Sequence, residues 1–284
     1  MFNRQLLIRF GLLYFVLFFI VSFRYLSKLE NDKRKSIPTQ THRLSIIVPF
    51  RNRSKQLFEF LPHMSSFLNY QSVNHLFIIV NQVDQHRFNR AALINIGFLE
   101  SRTQADYLVM HDVDLLPLNR DELSYRYPSN GPIHLASPEY HPIYNYSKYA
   151  GGVLLITCDD FERINGMSPL YWGWGTEDDN FYVRMKLAQM KIYRPHQLST
   201  NRTNTFRHIH DRQENKRDMA KYFNQKQEGR KLRPDMGWNT TEYKVVRRKI
   251  EKTSENVEYT MLDVEIDCDY NSTPWCDHPA IKNT

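Results

Sequence analysis

Short β-branched apolar runs alternate along this chain with longer segments whose apolar residues recur at helical spacing. That alternation predicts an α/β domain. Residues 44–50 (LSIIVPF) form an apolar run closed by Pro49, which reads as a buried strand. Residues 56–68 follow with apolar positions at helical spacing. Residues 75–80 (HLFIIV) read as a second strand, residues 88–99 as a helix with an Ala/Ile/Leu face, and residues 107–110 (YLVM) as a third strand. This order belongs to a unit of parallel strands, in which ligands bind beyond the carboxyl ends. Two polar neighbourhoods fall there: residues 49–53 after the first strand and residues 112–114 after the third. Further on, residues 151–156 (GGVLLI) read as another strand. Residues 177–190 read as a helix whose apolar positions are Phe181, Met185, Leu187 and Ala188. Beyond about residue 212 the chain is charged and poorly periodic, except that residues 257–266 (VEYTMLDVEI) alternate as an edge strand does.

The amino terminus departs from this pattern. Residues 10–23 are continuously apolar, and residues 6–8 extend the run across Arg9 towards the roughly 20 residues a bilayer span requires. The exit, residues 22–26 (SFRYL), lacks the small residues of a cleavage site, so the segment reads as an uncleaved signal anchor. The expected organisation is a cytosolic tip and membrane helix over residues 1–26, a polar stem over 27–42 and one globular domain over 43–284. Arg24, Lys28, Lys33, Arg34 and Lys35 follow the span, whereas only Arg4 and Arg9 precede it. By the positive-inside rule alone the domain would face the cytosol. Five Asn-x-Ser/Thr sequons, at Asn52, Asn145, Asn201, Asn239 and Asn271, point instead to the lumen.

Composition adds less. With 284 residues, 41% of them hydrophobic and 13% aromatic, the chain can bury a substantial core. The net charge of +7 is concentrated in residues 28–35 and 207–252. A basic face suits a nucleotide diphosphate or an acidic acceptor, and no recognised nucleic-acid-binding motif accompanies it. Cys268 and Cys276 lie close together in a polar tail of the kind a disulfide staples in an oxidising compartment. Cys158 follows an apolar run and reads as a buried free thiol.

Three segments carry candidate chemistry. Asp112 and Asp114 flank Val113 where an apolar strand reaches the sheet edge, with residues 115–117 closing a turn; a carboxylate there can bind a divalent metal. The same spacing recurs in the tail at Asp267 and Asp269, where no strand delivers it. His208 and His210 project from one face of an extended segment, close enough to share a metal. A shell of carboxylate, imidazole and phosphate suits Mn²⁺. Trp172, Gly173, Trp174 and Gly175 form a glycine-hinged loop with stacking surfaces for a sugar. The Thr176, Glu177, Asp178 and Asp179 that follow offer a helix N-cap and a carboxylate able to act as general base. Arg51 and Arg53, just past the first strand, suit a pyrophosphate.

Residues 49–53 (PFRNR), 88–91 (FNRA), 112–114 (DVD), 149–152 (YAGG) and 172–179 (WGWGTEDD), in this order, resemble the β-1,4-galactosyltransferase family. Most of that family uses a methionine and a later histidine as metal ligands. The His208/His210 pair is similar instead to the xylosylprotein galactosyltransferase branch, which adds galactose to the xylose that begins the proteoglycan linker. The resemblance implies a GT-A fold, a Rossmann-like mixed sheet flanked by helices, in a lumenal Golgi domain of a single-pass type II membrane protein. It also implies Mn²⁺ as cofactor, UDP-galactose as donor and a xylosylated proteoglycan core protein as acceptor. Carried over by position, Asp114, His208 and His210 would bind the metal. Pro49, Phe50, Arg51, Arg53, Phe88, Arg90, Asp112, Val113, Trp174 and Gly175 would face the donor. Tyr144, Tyr146, Trp174, Glu177, Asp178 and Asp179 would face the acceptor, with Asp178 as the base. The chain departs from many relatives at Asn180, where they are acidic. The alternatives are the same fold acting on a terminal N-acetylglucosamine, or a non-catalytic sugar-binding protein, of which loss of Asp178 or a metal ligand would be the sign.

Overall fold

The computed structural model describes Arg24, residues 41–210, and residues 213–277 apart from 214, 215, 221 and 230. The segment expected to anchor the chain, residues 6–23, lies outside the described residues. Among the described residues no helix is long and apolar enough to cross a membrane.

The predicted alternation is present as β1 (Arg43–Phe50), α1 (Ser54–Tyr70), β2 (Asn74–Gln82), α2 (Arg90–Ser101) and β3 (Tyr107–His111). β1 lies parallel to β2 on one side and to β3 on the other. Around these run β4 (Leu115–Pro117), β5 (Ile133–His134), β6 (Val153–Thr157), α3 (Cys158–Arg163), α4 (Glu177–Leu187), β7 (Phe206–His208), α5 (Tyr222–Gly229), β8 (Tyr243–Lys252) and β9 (Glu258–Ile266). The main sheet has the order β5-β6-β3-β1-β2-β9-β8, and β4 pairs with β7 in a second, two-stranded sheet. β6 runs antiparallel to β3, so the main sheet is mixed.

The buried strands are continuous apolar runs because both faces are covered. Leu44, Ile46 and Val48 of β1 join Phe60, Leu61 and Met64 of α1 in one core, while Ile47 joins Leu93, Ile94 and Ile96 of α2 in the other. Successive β1 side chains thus alternate between two helical layers, as a strand of period two requires. Gly97 lets α2 lie directly on Ile47, since a β-carbon there would strike that side chain. The helix begins at Arg90 rather than residue 88 because Asn89 caps it, its side chain accepting from the Ala92 N–H at 2.9 Å. Phe88 is thereby left outside the helix.

Three expectations need correction. β9 is not an edge strand: it lies between β2 and β8. The edge is β8 (YKVVRRKIEK), a mostly exposed strand whose basic side chains discourage pairing with another chain, and whose polarity hides it from a hydrophobicity pattern. Residues 115–117 are a strand, not the close of a turn; the turn lies at Val113 and Asp114, with Leu115 N–H donating to the Asp112 carbonyl at 3.3 Å. α4 stops at Leu187, three residues before the predicted end, where Gln189 turns to φ +56°.

Cys268 and Cys276 are joined in a disulfide. Cys158 is free but only half-buried; it donates to the Ala105 carbonyl, and burial pushes its thiol up to about 12. Asn145, Asn201, Asn239 and Asn271 are all exposed.

Candidate active site

The β4–β7 sheet builds the candidate metal centre. Leu115 pairs with His208, and the Ile209 N–H donates to the Asp114 carbonyl at 2.8 Å. The extended backbone turns Ile209 towards the core and leaves the two histidines together on the other face. His210 Nδ1–H donates to Asp114 Oδ2 at 3.0 Å, and His208 Nε2 lies 3.9 Å from the same oxygen. Ligand atoms of Asp114, His208 and His210 all fall within 4.8 Å of one another. Burial lowers the His208 pKa and favours the neutral ring a metal needs. Burial pushes the Asp114 carboxyl up, but the His210 hydrogen bond and the nearby His208, His210 and Arg53 outweigh it and hold it below the usual range. One carboxylate and two imidazoles can hold a first-row divalent ion, and phosphate oxygens completing the shell would suit the harder Mn²⁺.

A cleft of about 600 Å³ opens over this centre. At one end lie Pro49, Arg51, Arg53, Phe88 and Val113, while Phe50 turns into the core. The two arginines are not equivalent. Arg51 donates to the Gln82, Asp84 and His86 carbonyls and to the Asp84 carboxylate, which commits it to bracing the turn after β2. Arg53 keeps Nη1 buried without a hydrogen-bond partner, the arrangement an arriving anion would satisfy.

The other end is acidic. Arg90 grips Asp112, with Nη2 at 2.7 Å, and lies 3.8 Å from Glu177. Burial, then the neighbouring Glu177 and Asp179, raises the Asp178 pKa well above the ordinary aspartate value, with Arg90 opposing. Asp178 Oδ1 accepts the Asp179 N–H at 2.9 Å. Its Oδ2 lies so near Gly151 that a β-carbon there would stand 2.6 Å away. Asp179 Oδ1 and Glu177 Oε2 are buried without partners. Thr176 does not cap α4 with its side chain: its φ is +74° and its hydroxyl is buried and unpaired. A β-branched residue held there stores strain of about 1–3 kcal/mol. Asn180 points away from the cleft chemistry, accepting from Arg184 Nε at 2.9 Å.

The Trp172 loop closes this end. Gly173 N–H donates to the Phe88 carbonyl at 2.7 Å, and Trp174 N–H to the Asp218 carbonyl at 2.9 Å. Gly173 has φ +88° and packs on the buried Arg87, leaving no room for a side chain. Gly175, at φ +102°, lies against the Tyr222 ring. Tyr144 and Tyr146 face the same space beside Tyr149, and Tyr146 lies near enough to Asp179 to lower that carboxyl's pKa against the effect of burial.

Sequence reasoning missed several residues here. His141 lies in the cleft, and its Nδ1 accepts the N–H groups of Ile143 and Tyr144, both at 3.0 Å, which shapes the tyrosine loop. Arg87, Arg217, Asp218 and Tyr222 hold the Trp174 loop from the other side. No local pattern marks Arg87, Arg217, Asp218 and Tyr222, because their partners are distant in sequence, and the His141 ring bonds only amides of its own loop.

Residues 33–127 match the model described as the N-terminal region of glycosyl transferase group 7, and residues 131–209 match that described as the N-terminal domain of galactosyltransferase. Beta-1,4-galactosyltransferase 7 of Drosophila melanogaster is 48% identical over 83% of this chain and 73% of its own length. Xylosylprotein 4-beta-galactosyltransferase of Caenorhabditis elegans is 42% identical over 95% of both chains. A crystal structure of a mutant of the Drosophila enzyme, in complex with manganese, UDP-Gal and xylobiose, superposes with a TM-score of 0.80 at 46% identity, covering 84% of this chain and 99% of that one. The mixed sheet with its two helical layers is therefore the GT-A-like fold that the resemblance implied, and the chain belongs to the β-1,4-galactosyltransferase family.

Proposed function

We propose that this protein is an inverting galactosyltransferase that moves galactose from UDP-galactose to O4 of a xylose carried on a proteoglycan core protein. The observation that carries the reading is the placement of Asp178. It is a half-buried carboxylate of raised proton affinity, in the same cleft as Asp114, His208 and His210 and the unpaired Arg53 nitrogen. The relative 48% identical is named a beta-1,4-galactosyltransferase and the one 42% identical a xylosylprotein 4-beta-galactosyltransferase.

Asp178 takes the proton from the acceptor hydroxyl while that oxygen attacks the anomeric carbon from the face opposite UDP. The bond to the diphosphate breaks as the new bond forms, so an α-linked donor gives a β-linked product. Asp178 suits this task because burial, with Glu177 and Asp179 beside it, makes it a stronger base than an ordinary aspartate. Arg53 would meet the diphosphate. Arg90 neutralises Asp112 and keeps two of the cleft's carboxylates from opposing an anionic donor. Tyr144, Tyr146 and Trp174 would present ring faces and hydroxyls to the acceptor. Asp114, His208 and His210 would hold Mn²⁺, which when bound offsets charge gathering on the leaving diphosphate. Much of the rate would come from holding the two sugars in line.

The apolar run at residues 6–23 would anchor the protein in the Golgi membrane with the domain in the lumen. Glycosidase-sensitive glycans on Asn145, Asn201, Asn239 or Asn271 would report that placement. The function is tested by incubating purified protein with UDP-galactose, Mn²⁺ and simple glycosides. Galactose transfer to xylosides supports the reading, whereas transfer to N-acetylglucosaminides instead overturns the acceptor assignment. Tight donor binding with no UDP release on any acceptor would overturn catalysis altogether.

A further inference from the structure

Arg217 is a cation in the cleft to which the donor and metal assignments give no task. Its guanidinium carbon lies 5.5 Å over the Tyr144 ring and 5.0 Å over the Trp174 ring, so it bridges two aromatic walls from separate loops. It also hydrogen-bonds the Tyr144 side chain. The backbone that delivers it is fixed. Asp218 Oδ2 accepts from Arg87 Nε at 2.6 Å, and the Asp218 carbonyl accepts the Trp174 N–H at 2.9 Å. Arg87 is fully buried and pinned in turn by the Trp275 carbonyl at 3.0 Å. Arg217 is therefore registered against the Trp174 loop.

We propose that Arg217 is a specificity-determining residue of the acceptor end, whose planar guanidinium, layered between Tyr144 and Trp174, narrows the cleft to a pentopyranoside. The proposal rests on the xyloside reading above. A guanidinium is flat and weakly hydrated, so it stacks on aromatic faces in a way an ammonium does not. Joined by it, the two rings make one wall. A hexopyranoside brings an exocyclic carbon that must find room beside that wall, and a pentopyranoside brings none. Excluding one such group is worth roughly 10–200-fold in a shaped pocket.

The test compares Arg217→Ala and Arg217→Lys with the unaltered protein, using UDP-galactose, Mn²⁺, a xyloside and the matching glucoside. In both variants the xyloside KM should rise about tenfold with kcat changed far less. The preference for xyloside over glucoside should fall about tenfold, and UDP affinity should stay unchanged. The lysine variant is decisive, since it keeps the charge and loses the plane. Lysine behaving as arginine does would overturn the stacking role. An equal loss on both acceptors would reduce Arg217 to a structural prop, and an equal loss of UDP affinity would make it a diphosphate ligand; either result overturns the proposal. If the alanine variant does not fold, Arg217→Gln takes its place. Failure of the unaltered protein to use xylosides would strike the underlying function instead, so the two failures are distinguishable.

Discussion

A single methyl group added at Gly151 tests whether Asp178 is the working base. An ideal β-carbon there stands 2.6 Å from Asp178 Oδ2, and 2.9 Å from the Tyr149 ring. Ordinary contact begins near 3.4 Å, so the carboxylate must withdraw by about 0.8 Å, the difference between the two distances. The Tyr149 ring is buried and cannot yield as readily as the end of a short carboxylate side chain. Misplacing a reacting group by about 1 Å costs on the order of 100-fold in rate. Gly151→Ala should therefore lower kcat about 100-fold. Binding of UDP with Mn²⁺ should be unaltered, because the atoms nearest the β-carbon belong to Asp178 and Tyr149 and not to Arg53 or Asp114. The assay is steady-state transfer to a xyloside, with UDP affinity by calorimetry and thermal melting as a control for folding. A folded Gly151→Ala protein with normal kcat would show that Asp178 is not the proton acceptor.

Other outcomes follow from the same geometry. Asp178→Asn should lose about 10²–10⁴-fold in kcat while keeping UDP and Mn²⁺ affinity. The same variant should melt at a higher temperature near neutral pH. A carboxyl with a higher pKa folded than unfolded loses stability as pH rises through that interval, and asparagine removes the loss while keeping the oxygen that accepts the Asp179 N–H. Since Asp178 must be ionised to accept a proton, activity should fall as pH drops through its raised pKa. The acid limb of kcat/KM should then lie above the roughly 4 of an ordinary aspartate, and a limb at 4 would exclude it. His210→Ala should raise the Mn²⁺ concentration for half-maximal rate at least about 100-fold, the upper range seen on losing mere outer partners of a metal, as a manganese titration would report.

The parts of this fold legible in the sequence are those whose physics is local. β1, β2 and β3 are buried on both faces and so read as apolar runs, and α1 and α2 lie against them with regular spacing. β8 was illegible because an exposed edge strand gains from the Lys and Arg that erase its hydrophobic pattern. Thr176 is a composition-perfect helix cap that the structure uses otherwise, because the glycine-hinged loop enters α4 through left-handed backbone. At the site, Asp114, His208 and His210 were legible since a strand end and an alternating histidine pair each carry a local signal. Arg51 looked like Arg53 in sequence, and only the turn after β2 separates them. Arg217 carries no signal, being defined by rings from other loops, and the His141 ring bonds only the amides of its own loop, which no side-chain pattern marks.

The charged side chains of the cleft that keep an unsatisfied atom differ in polarity, while the unpaired Thr176 hydroxyl can serve as donor or acceptor. At the end expected to take a diphosphate, the buried atom without a partner is a donor, Arg53 Nη1. At the end expected to take sugar hydroxyls, the buried carboxylate atoms without partners are acceptors, Glu177 Oε2 and Asp179 Oδ1. Each such group costs the folded protein about 1–3 kcal/mol, a cost that a ligand of matching polarity would offset. The Asp178 carboxyl, forced into the same crowded and desolvated space, adds to that cost. A donor with anionic oxygens and an acceptor rich in hydroxyls would relieve both ends at once, and neither could be exchanged for the other. A diphosphate entering beside Arg53 and a hydroxyl entering beside Asp178 would each meet groups of complementary polarity.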